Sequence, residues 1–333
     1  MSGTFLVITT IFHPTPSVFT LRDGCREAGY GFIAVGDAKS PKDFSLEGCD
    51  FMTLEAQLKS GLSTATACVV NHYARKNIGY LEAMRRGADN IFETDDDNMP
   101  GANFFAPRER KVKAPVVKSP GWVNVYGYYT DSGIWPRGLP LNHVKTALAP
   151  YESLPVSETD CPIQQDLVDG EADIDAICRM VAPLPQQFNK RGAIALSGAW
   201  CPFNSQNTRW WPDAFPLLYL PAYCSFRMTD IWRSFVAQRI AYANGWGVLF
   251  GDASVMHQRN LHDPMKDFAD EIPGYLHNKA IASTLDALSL PSGVSSIPAN
   301  MRACYEALIA LGVIGANERT LLNAWLEDIQ AIK

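Results

Sequence analysis

The chain has 333 residues, of which 47% are hydrophobic and 19% charged, a composition typical of a globular enzyme with one or two α/β domains. A formal net charge of −6, without a long Lys/Arg run, argues against nucleic acid as a partner. The eight cysteines form no CxxC pair, which argues against a zinc knuckle and favours reduced thiols in a cytoplasmic protein. Because no stretch approaches the roughly 20 apolar residues of a membrane span, we expect no transmembrane segment.

The first third of the chain alternates strand and helix patterns. Residues 5–10 and 31–37 are rich in β-branched and aromatic residues, which is typical of buried strands. Residues 77–88 carry apolar side chains at helical spacing, and residues 90–97 follow directly as another strand. This succession predicts a βαβ unit in a mostly parallel sheet, where ligands bind beyond the carboxyl ends of the strands.

The rest of the chain is less regular until the last third. Strands that frame a cleft are expected at residues 121–141, and a strand followed by a loop at 192–211. A short helix is expected after the carboxylate-rich start of 166–180. Residues 229–246 give the clearest long helix, and residues 247–259 a strand and its exit. From about residue 266 onward the pattern is helical, with amphipathic helices at 301–314 and 318–332.

An acidic triplet, Asp95, Asp96 and Asp97, stands at the end of the predicted strand 90–97. If the strand persists, Asp95 and Asp97 share a face and Asp96 points elsewhere, because side chains alternate along a strand. Two carboxylates on one face suit a hard divalent cation, which offsets the charge of a leaving phosphate. A solvated acidic turn is the alternative, but the apolar residues before the triplet favour the metal site.

Polar residues near other predicted strand ends are candidates for binding a nucleotide. Arg75 and Lys76 open the predicted helix, where two cations and free backbone N–H groups would meet phosphate oxygens. A solvated helix start is the alternative. Asp37, at the end of the second predicted strand, either accepts hydrogen bonds from a base or ribose or belongs to an ordinary turn.

Three further residues are candidates for the chemistry. Asp230 opens the predicted long helix, as its N-cap, as a general base, or as both. His257 lies at the end of a predicted strand, as the acidic triplet does, so it is a candidate metal ligand. A lone histidine is more often structural. Arg137 would hold a phosphate or carboxylate as a planar fork.

Four segments together resemble the STELLO-type glycosyltransferase-like family: "TTI" at 9–11, "VGD" at 35–37, "RKNIGYLEAMRRGADNIFETDDDN" at 75–98 and "WPRGLPL" at 135–141. A fainter similarity reaches the UDP-arabinopyranose mutases, which share the Asp triplet, a stretch like "RGLP", a carboxylate-x-Trp like "DIW" and a strand that ends in His. The mutase motif has a second arginine where this chain has Val144.

The resemblance implies a GT-A-type α/β fold with a mixed, mostly parallel central sheet and C-terminal helices. It implies that Mn²⁺ or Mg²⁺ at Asp95 and Asp97 holds a nucleotide diphosphate-sugar, with His257 completing the metal shell. It also implies that four residues line the nucleotide pocket: Thr10, Asp37, Arg75 and Lys76. To these we add Asp96.

The expected organisation is a GT-A-like domain at residues 1–265 and a C-terminal helical extension at 266–333. Within the domain, residues 1–120 form the nucleotide-binding half and 121–265 the sugar or acceptor half. The extension either covers the sheet, supports a homo-oligomer or docks peripherally at a membrane, and amphipathic core packing is the interpretation that we favour.

The predicted function is metal-dependent transfer of a sugar from a nucleotide donor, first of all a UDP-sugar, to a carbohydrate or other hydroxyl acceptor. Asp230 would be the base of an inverting reaction. The resemblance to the mutases implies that Arg137 takes part in the sugar chemistry. Two alternatives remain: a mutase that interconverts ring forms of a UDP-pentose, and a non-catalytic nucleotide-sugar-binding scaffold.

Overall fold

A computed structural model describes residues 3–257 and 263–332 as a layer of β-structure covered by helices. Within these ranges the strands are β1 Thr4–Thr9, β2 Gly31–Val35, β3 Asp50–Met52, β4 Asn90–Thr94, β5 Asn98–Pro100, β6 Lys111–Val117, β7 Gly121–Trp122, β8 Val156–Asp160, β9 Ile163–Gly170, β10 Ile194–Leu196, β11 Ala199–Trp200, β12 Asn207–Trp210 and β13 Val248–His257. The α-helices are α1 Pro16–Ala28, α2 Leu54–Leu58, α3 Ser63–Ala67, α4 Lys76–Arg85, α5 Ala176–Val181, α6 Thr229–Ala243, α7 Pro264–Asp286, α8 Ile297–Ala310 and α9 Glu318–Ile332.

The large sheet has the strand order β3-β2-β1-β4-β12-β9-β13-β10-β6-β8, and β5 pairs with β13. The strands β3, β2, β1 and β4 are all parallel, whereas β12 runs antiparallel between β4 and β9. Carboxyl ends of parallel strands meet at one edge of a sheet, so the segments that follow β1, β2 and β4 lie together. The predicted α/β class, with a mixed sheet and C-terminal helices, is confirmed.

The elements that local patterns predicted most strongly are present. The strands β1, β2 and β13, and the helices α4 and α6, coincide with the predicted segments to within a few residues. Gly87, just after α4, has a φ of 80°, the left-handed conformation that commonly ends a helix. The predicted exit of the late strand, at 258–259, lies outside the described residues.

The loop-rich middle contains less strand than expected. Between residues 121 and 141 the structure has the two-residue strand β7 and short 3₁₀ helices at Val125–Tyr128 and Leu141–His143. A buried side chain fixes this irregular backbone, since Asn124 donates from Nδ2 to the Ile134 carbonyl over 2.8 Å. Tertiary hydrogen bonds therefore shape this segment, in place of a regular ladder.

The C-terminal helices pack on the same hydrophobic core as the sheet. Helix α9 contacts α3 and α4, while α7 and α8 contact α6. One continuous cluster of buried side chains includes Val7 of β1, Phe235 of α6 and Trp325 of α9. The predicted division at residue 265 stays a prediction. No helix within the described ranges has the length and apolar character needed to cross a membrane.

Candidate functional site

Three adjoining cavities form a cleft beyond the carboxyl ends of β1, β2 and β4. The first cavity, of about 540 Å³, is lined by residues that follow β1 and β2. The second and third, of about 260 and 170 Å³, lie around the acidic triplet. The first and second share four residues: Thr9, Tyr73, Asp96 and Phe226. The second and third share five residues: Asp95, Asp97, Arg137, Arg227 and Asp230.

The acidic triplet lies in a turn. Strand β4 ends at Thr94, the Asp95 carbonyl accepts from the Asn98 amide over 3.3 Å, and β5 begins at Asn98. The premise that the strand persists through Asp97 is therefore wrong. The turn still brings Asp95 and Asp97 to the second and third cavities, while Asp96 lines the first and second.

Buried amides hold the two ends of this turn, here called the acidic turn (Asp95 to Asp97). Asn98 donates from Nδ2 to Thr94 Oγ1 over 3.1 Å and to the Gln206 carbonyl over 3.0 Å. Gln206 in turn donates a hydrogen bond from Nε2 to Asn98 Oδ1 over 3.1 Å. Because all three side chains are buried, these bonds fix the turn against the loop before β12.

Two cationic or protonatable partners contact the acidic turn. The buried ammonium of Lys76 lies 3.0 Å from Asp95 Oδ1 and also donates to the carbonyls of Thr94, at 2.9 Å, and Ser205, at 3.3 Å. His257 Nε2 lies 3.1 Å from Asp97 Oδ2. Since an ammonium has three hydrogens, Lys76 has none left for a phosphate. Its predicted contact with the nucleotide stays a prediction.

The pKa values of the acidic turn reflect burial and crowding. Burial raises the pKa of Asp95, and Asp97 raises it further, against the lowering effect of Lys76. Burial also raises the pKa of Asp96 to about 6, against a hydrogen bond from Thr10. Burial alone would lower the pKa of His257, but its hydrogen bond to Asp97 produces a net increase. The turn therefore favours additional positive charge.

The donor atoms here fit a divalent cation, although the described ranges contain no preformed group of three or more such ligands. His257 Nδ1 lies 3.0 Å from the Glu171 carbonyl, an arrangement that directs Nε2 toward Asp97. Asp95 retains 41% side-chain exposure despite its bond to Lys76. Two carboxylates and one imidazole nitrogen are ligands that Mn²⁺ accepts. A cation bound to both Asp97 and His257 would replace their mutual hydrogen bond.

Arg137 bridges two carboxylates on the opposite wall. It donates from Nε and Nη2 to Asp173, over 2.8 and 3.0 Å, and from Nη1 and Nη2 to Asp230, over 3.0 and 3.1 Å. Burial raises the pKa of Asp230, but Arg137 lowers it more strongly, to about 2. In this state Asp230 is a weak proton acceptor, so a general-base role requires Arg137 to release one of its oxygens. That role stays a prediction.

The structure does not make Asp230 a helix cap. Helix α6 begins at Thr229, its N-cap position is Met228, and no side chain caps it. Asp230 instead accepts from the Ser205 amide over 3.2 Å and from the Tyr73 hydroxyl over 3.2 Å. These bonds hold the carboxylate toward the cleft, which is why the N-cap interpretation is wrong.

The guanidinium of Arg75 donates its hydrogen bonds to other groups of the protein. Its Nε donates to Gln57 Oε1 over 2.8 Å, and its Nη1 and Nη2 donate to the carbonyls of Cys68, at 2.9 Å, and Ala65, at 3.2 Å. The side chain is buried, because the chain enters α4 through the 3₁₀ turn Tyr73–Arg75 beneath the cleft. Arg75 nevertheless lines the first cavity, and its predicted contact with phosphate stays a prediction.

Thr10 and Asp37 follow β1 and β2, and both line the first cavity as predicted for a nucleotide pocket. Thr10 Oγ1 accepts from the Phe12 amide over 3.2 Å. Asp37 accepts from the amides of Ala38, at 2.7 Å, and His72, at 3.0 Å, so it also fills the role of a turn aspartate. The two interpretations of Asp37 are compatible, and nucleotide binding by both residues stays a prediction.

Several residues of the cleft have no strong signal in the sequence. The His72 and Tyr73 rings stack with centroids 5.4 Å apart, and Phe226 packs edge-on against Tyr73 at 4.9 Å. Arg227 lines the second and third cavities next to Phe226. The nearness of Phe226 and Arg227 to Asp230 in the chain is the one feature that could have indicated them.

The fold and the cleft together define an α/β protein whose candidate site lies beyond the carboxyl ends of parallel strands, around an acidic turn. A protein-family model described as STELLO glycosyltransferases matches residues 227–333. This segment contains Arg227, Asp230, His257 and helices α7 to α9. The match shows that this part of the chain is similar to the STELLO glycosyltransferases.

Two Arabidopsis thaliana proteins are similar over most of the chain. "Probable glycosyltransferase STELLO2" is 28% identical over 261 residues, and "Probable glycosyltransferase STELLO1" is 27% identical over 261 residues. Each alignment covers 72% of this chain and 34% of the relative, so the chain spans about a third of the length of the curated relatives it matches.

One solved structure, titled "Crystal Structure of a Mycobacterial Protein", aligns with a TM-score of 0.42 and 9% identity. The alignment covers 83% of this chain and 74% of that chain. At this TM-score the likeness assigns neither fold nor function.

Proposed function

We propose that this protein is a metal-dependent glycosyltransferase that moves a sugar from a UDP-sugar to a hydroxyl acceptor. The observation that carries the proposal is the position of the acidic turn, which joins a cavity at the ends of β1 and β2 to a buried Arg137–Asp230 pair. Similarity to the STELLO glycosyltransferases supports the reaction class.

The nucleoside would bind in the first cavity. Its lining offers the aromatic rings of His72, Tyr73 and Phe226 to a base, and the side chains of Thr10 and Asp37 to a base or ribose. Asp96 lines both the first and the second cavity, so it marks the passage from the nucleoside to the diphosphate.

Asp95, Asp97 and His257 would hold Mn²⁺ or Mg²⁺. Such an ion supplies positive charge that offsets the negative charge developing on the departing diphosphate. The three residues bind and orient, and Lys76 remains beneath them, where its ammonium opposes the rise that burial causes in the pKa of Asp95.

Asp230 and Arg137 would act on the acceptor side of the sugar. In an inverting reaction, Asp230 takes the proton of the acceptor hydroxyl once Arg137 has released one of its oxygens. Arg137 keeps its bidentate contact with Asp173, so the guanidinium stays in place when that happens.

The experiment is a donor-turnover assay with a panel of UDP-sugars, with Mn²⁺, with Mg²⁺ and after chelation. Asp97→Ala should reduce metal-dependent release of nucleotide by roughly 10²-fold or more, the scale of losing a transition-state contact. Asp43→Ala, which removes a carboxylate with 83% side-chain exposure, is the matched control and should be as active as the wild type.

Three results would contradict the proposal. Equal nucleotide release by Asp97→Ala and the wild type would remove the metal site from the reaction. Isomerisation of the donor sugar without an acceptor, seen by NMR, would identify a mutase instead. Binding of UDP in a calorimeter, without turnover under any metal, would identify a scaffold.

A further inference from the structure

The negative charge of a leaving diphosphate would be stabilised by cationic side chains in the cleft. Two predicted candidates, Arg75 and Lys76, bond to protein atoms instead. All three donors of Lys76 and the main donors of Arg75 contact protein oxygens. Among the described residues that line the second cavity, the remaining cations are Arg137 and Arg227. Arg137 makes four hydrogen bonds to two carboxylates, whereas Arg227 makes two to Glu271 and lies 3.9 Å from Asp267, so the guanidinium of Arg227 is the less committed of the two.

Arg227 faces the acidic turn across the cleft. It lies in the 3₁₀ turn Phe226–Met228, immediately before α6, and lines the second and third cavities together with Asp95 and Asp97. Its side chain is 20% exposed, and its Nη1 has no partner among the described residues. The guanidinium therefore has N–H donors without a protein partner among the described residues, and it lies next to an acidic turn that favours positive charge. This arrangement is suited to a ligand that carries two or more oxyanions.

Glu271 of α7 holds Arg227 in this orientation. Glu271 Oε1 accepts from Arg227 Nη2 over 2.8 Å and from Nε over 3.1 Å. Its other oxygen, Oε2, accepts from the Ala176 amide at the start of α5 and from the Tyr275 hydroxyl, both over 2.7 Å. Because Glu271 is fully buried and bonded on both oxygens, it fixes the position of the Arg227 side chain.

Helix α7 is also pressed against the turn that carries Arg227. A Cβ at Gly274 would lie 2.3 Å from the Met228 sulfur, so a glycine permits this approach. The Ser225 hydroxyl donates to the Asp270 carbonyl of the same helix. Arg227 is therefore attached to α7 through its neighbours on both sides.

We propose that Arg227 contacts the leaving diphosphate and that Glu271 is the residue that positions it. This inference rests on the glycosyltransferase function proposed above. As the bond between the sugar and the diphosphate breaks, its electron pair moves to a phosphate oxygen, while the acceptor oxygen forms the new bond and loses its proton to a base. Arg227 stays protonated throughout and donates hydrogen bonds to the oxygens that gain charge.

The test measures binding of nucleotides as well as turnover. From a panel of UDP, GDP, ADP and TDP, the nucleoside diphosphate that the wild type binds most tightly is titrated by calorimetry, together with its monophosphate. Arg227→Met should weaken the diphosphate on the order of tenfold or more and leave the monophosphate within about twofold. It should also lower kcat by about 10²-fold, with Arg227→Lys recovering part of both losses.

Two variants of α7 separate positioning from packing. Glu271→Gln should reduce kcat on the order of tenfold, the scale seen for groups that orient a site residue. Leu276→Ala, which shortens a side chain of α7 that is 69% exposed, should keep the wild-type kcat and the wild-type preference for the diphosphate. A Glu271→Gln protein with the wild-type melting temperature but reduced kcat would support positioning.

Two outcomes overturn the inference. If Arg227→Met is as active as the wild type and keeps its preference for diphosphate over monophosphate, Arg227 does not contact the diphosphate, while the glycosyltransferase function stands. If the wild type binds none of the four diphosphates and releases no nucleotide from any donor, the proposed function fails and this inference fails with it.

Discussion

A buried ion pair lies directly behind the acidic turn. Glu93 of β4 and Arg233 of α6 meet over 2.8 Å with almost no exposure to solvent. Trp210 donates to Glu93 over 2.9 Å, and the Tyr80 hydroxyl bonds to the same carboxylate. Burying two charges is costly, and the network offsets this by giving Glu93 partners from three other elements.

Removing one member of this pair should destabilise the protein strongly. Arg233→Met would leave the Glu93 carboxylate buried without its cation, at a cost of about 3–5 kcal/mol in the free energy of unfolding. Urea denaturation measures the change. The double substitution Glu93→Gln with Arg233→Met should recover part of the loss, because the buried charge is then absent.

The exposed pair Arg319–Glu306 provides the control, with a separation of 2.7 Å. Arg319→Met should leave the free energy of unfolding nearly unchanged, since water solvates Glu306 in both proteins. A comparable effect at Arg233 and Arg319 would show that burial of Glu93 has no energetic consequence.

At the scale of residues, the sequence predicted which side chains lie near one another better than what they contact. Asp95, Asp97, Arg137, Asp230 and His257 do lie around one cleft. Their partners could not be predicted, because they come from distant positions. The ammonium of Lys76, for example, bonds to the carbonyls of Thr94 and Ser205, which lie 18 and 129 residues away.

At the scale of elements, helix α4 packs closely against the sheet. Gly79 faces β1 and β2, where a Cβ would lie 2.6 Å from Val7 Cγ1 and 2.6 Å from Val35 Cγ2. The helix therefore approaches the sheet more closely than an alanine at this position would permit. This approach places Lys76, the first residue of α4, against Asp95.

Gly79→Ala should destabilise the protein despite the better helix propensity of alanine. The added methyl group overpacks the contact with the sheet, at a cost of about 1–3 kcal/mol in the free energy of unfolding. Adding Val35→Ala makes room for the methyl group, so the double substitution should be less destabilising than the sum of the single ones. Strict additivity in urea denaturation would contradict a contact between these positions.

Local sequence patterns predicted helices and strands well where the hydrophobic residues follow one period, either helical or strand-like. Strand β1, helix α6 and strand β13 have such patterns, and each is present at nearly the expected residues. The end of β4 could not be placed from the sequence, because the turn after Thr94 is fixed by Asn98 and by Gln206 from a distant loop. The predicted alternation of side chains through Asp97 failed for this reason.

At the scale of the whole molecule, the last helix is tied to the first half of the chain. Asp328 of α9 accepts from the amides of Ser63 and Thr64 over 2.9 and 2.7 Å, at the start of α3. Trp325 is fully buried, donates to the Pro216 carbonyl over 2.9 Å, and belongs to the same hydrophobic cluster as Val7 of β1. Hydrophobic periodicity predicted α9 as an amphipathic helix, but it carries no information about which element the apolar face covers.

Trp325→Ala tests whether the sheet and the C-terminal helices unfold together. Truncating a buried tryptophan costs about 3–5 kcal/mol. In one cooperative unit, this loss should appear equally in the hydrogen exchange of α9 and of the most protected amides of β1, because both exchange through global unfolding. Glu327→Ala, on the exposed face of α9, is the control and should change neither. If Trp325→Ala accelerates exchange in α9 and leaves β1 at the wild-type rate, the helices form a separate extension, and the coupling of α7 to the cleft through Glu271 would then have to be carried by α7 alone.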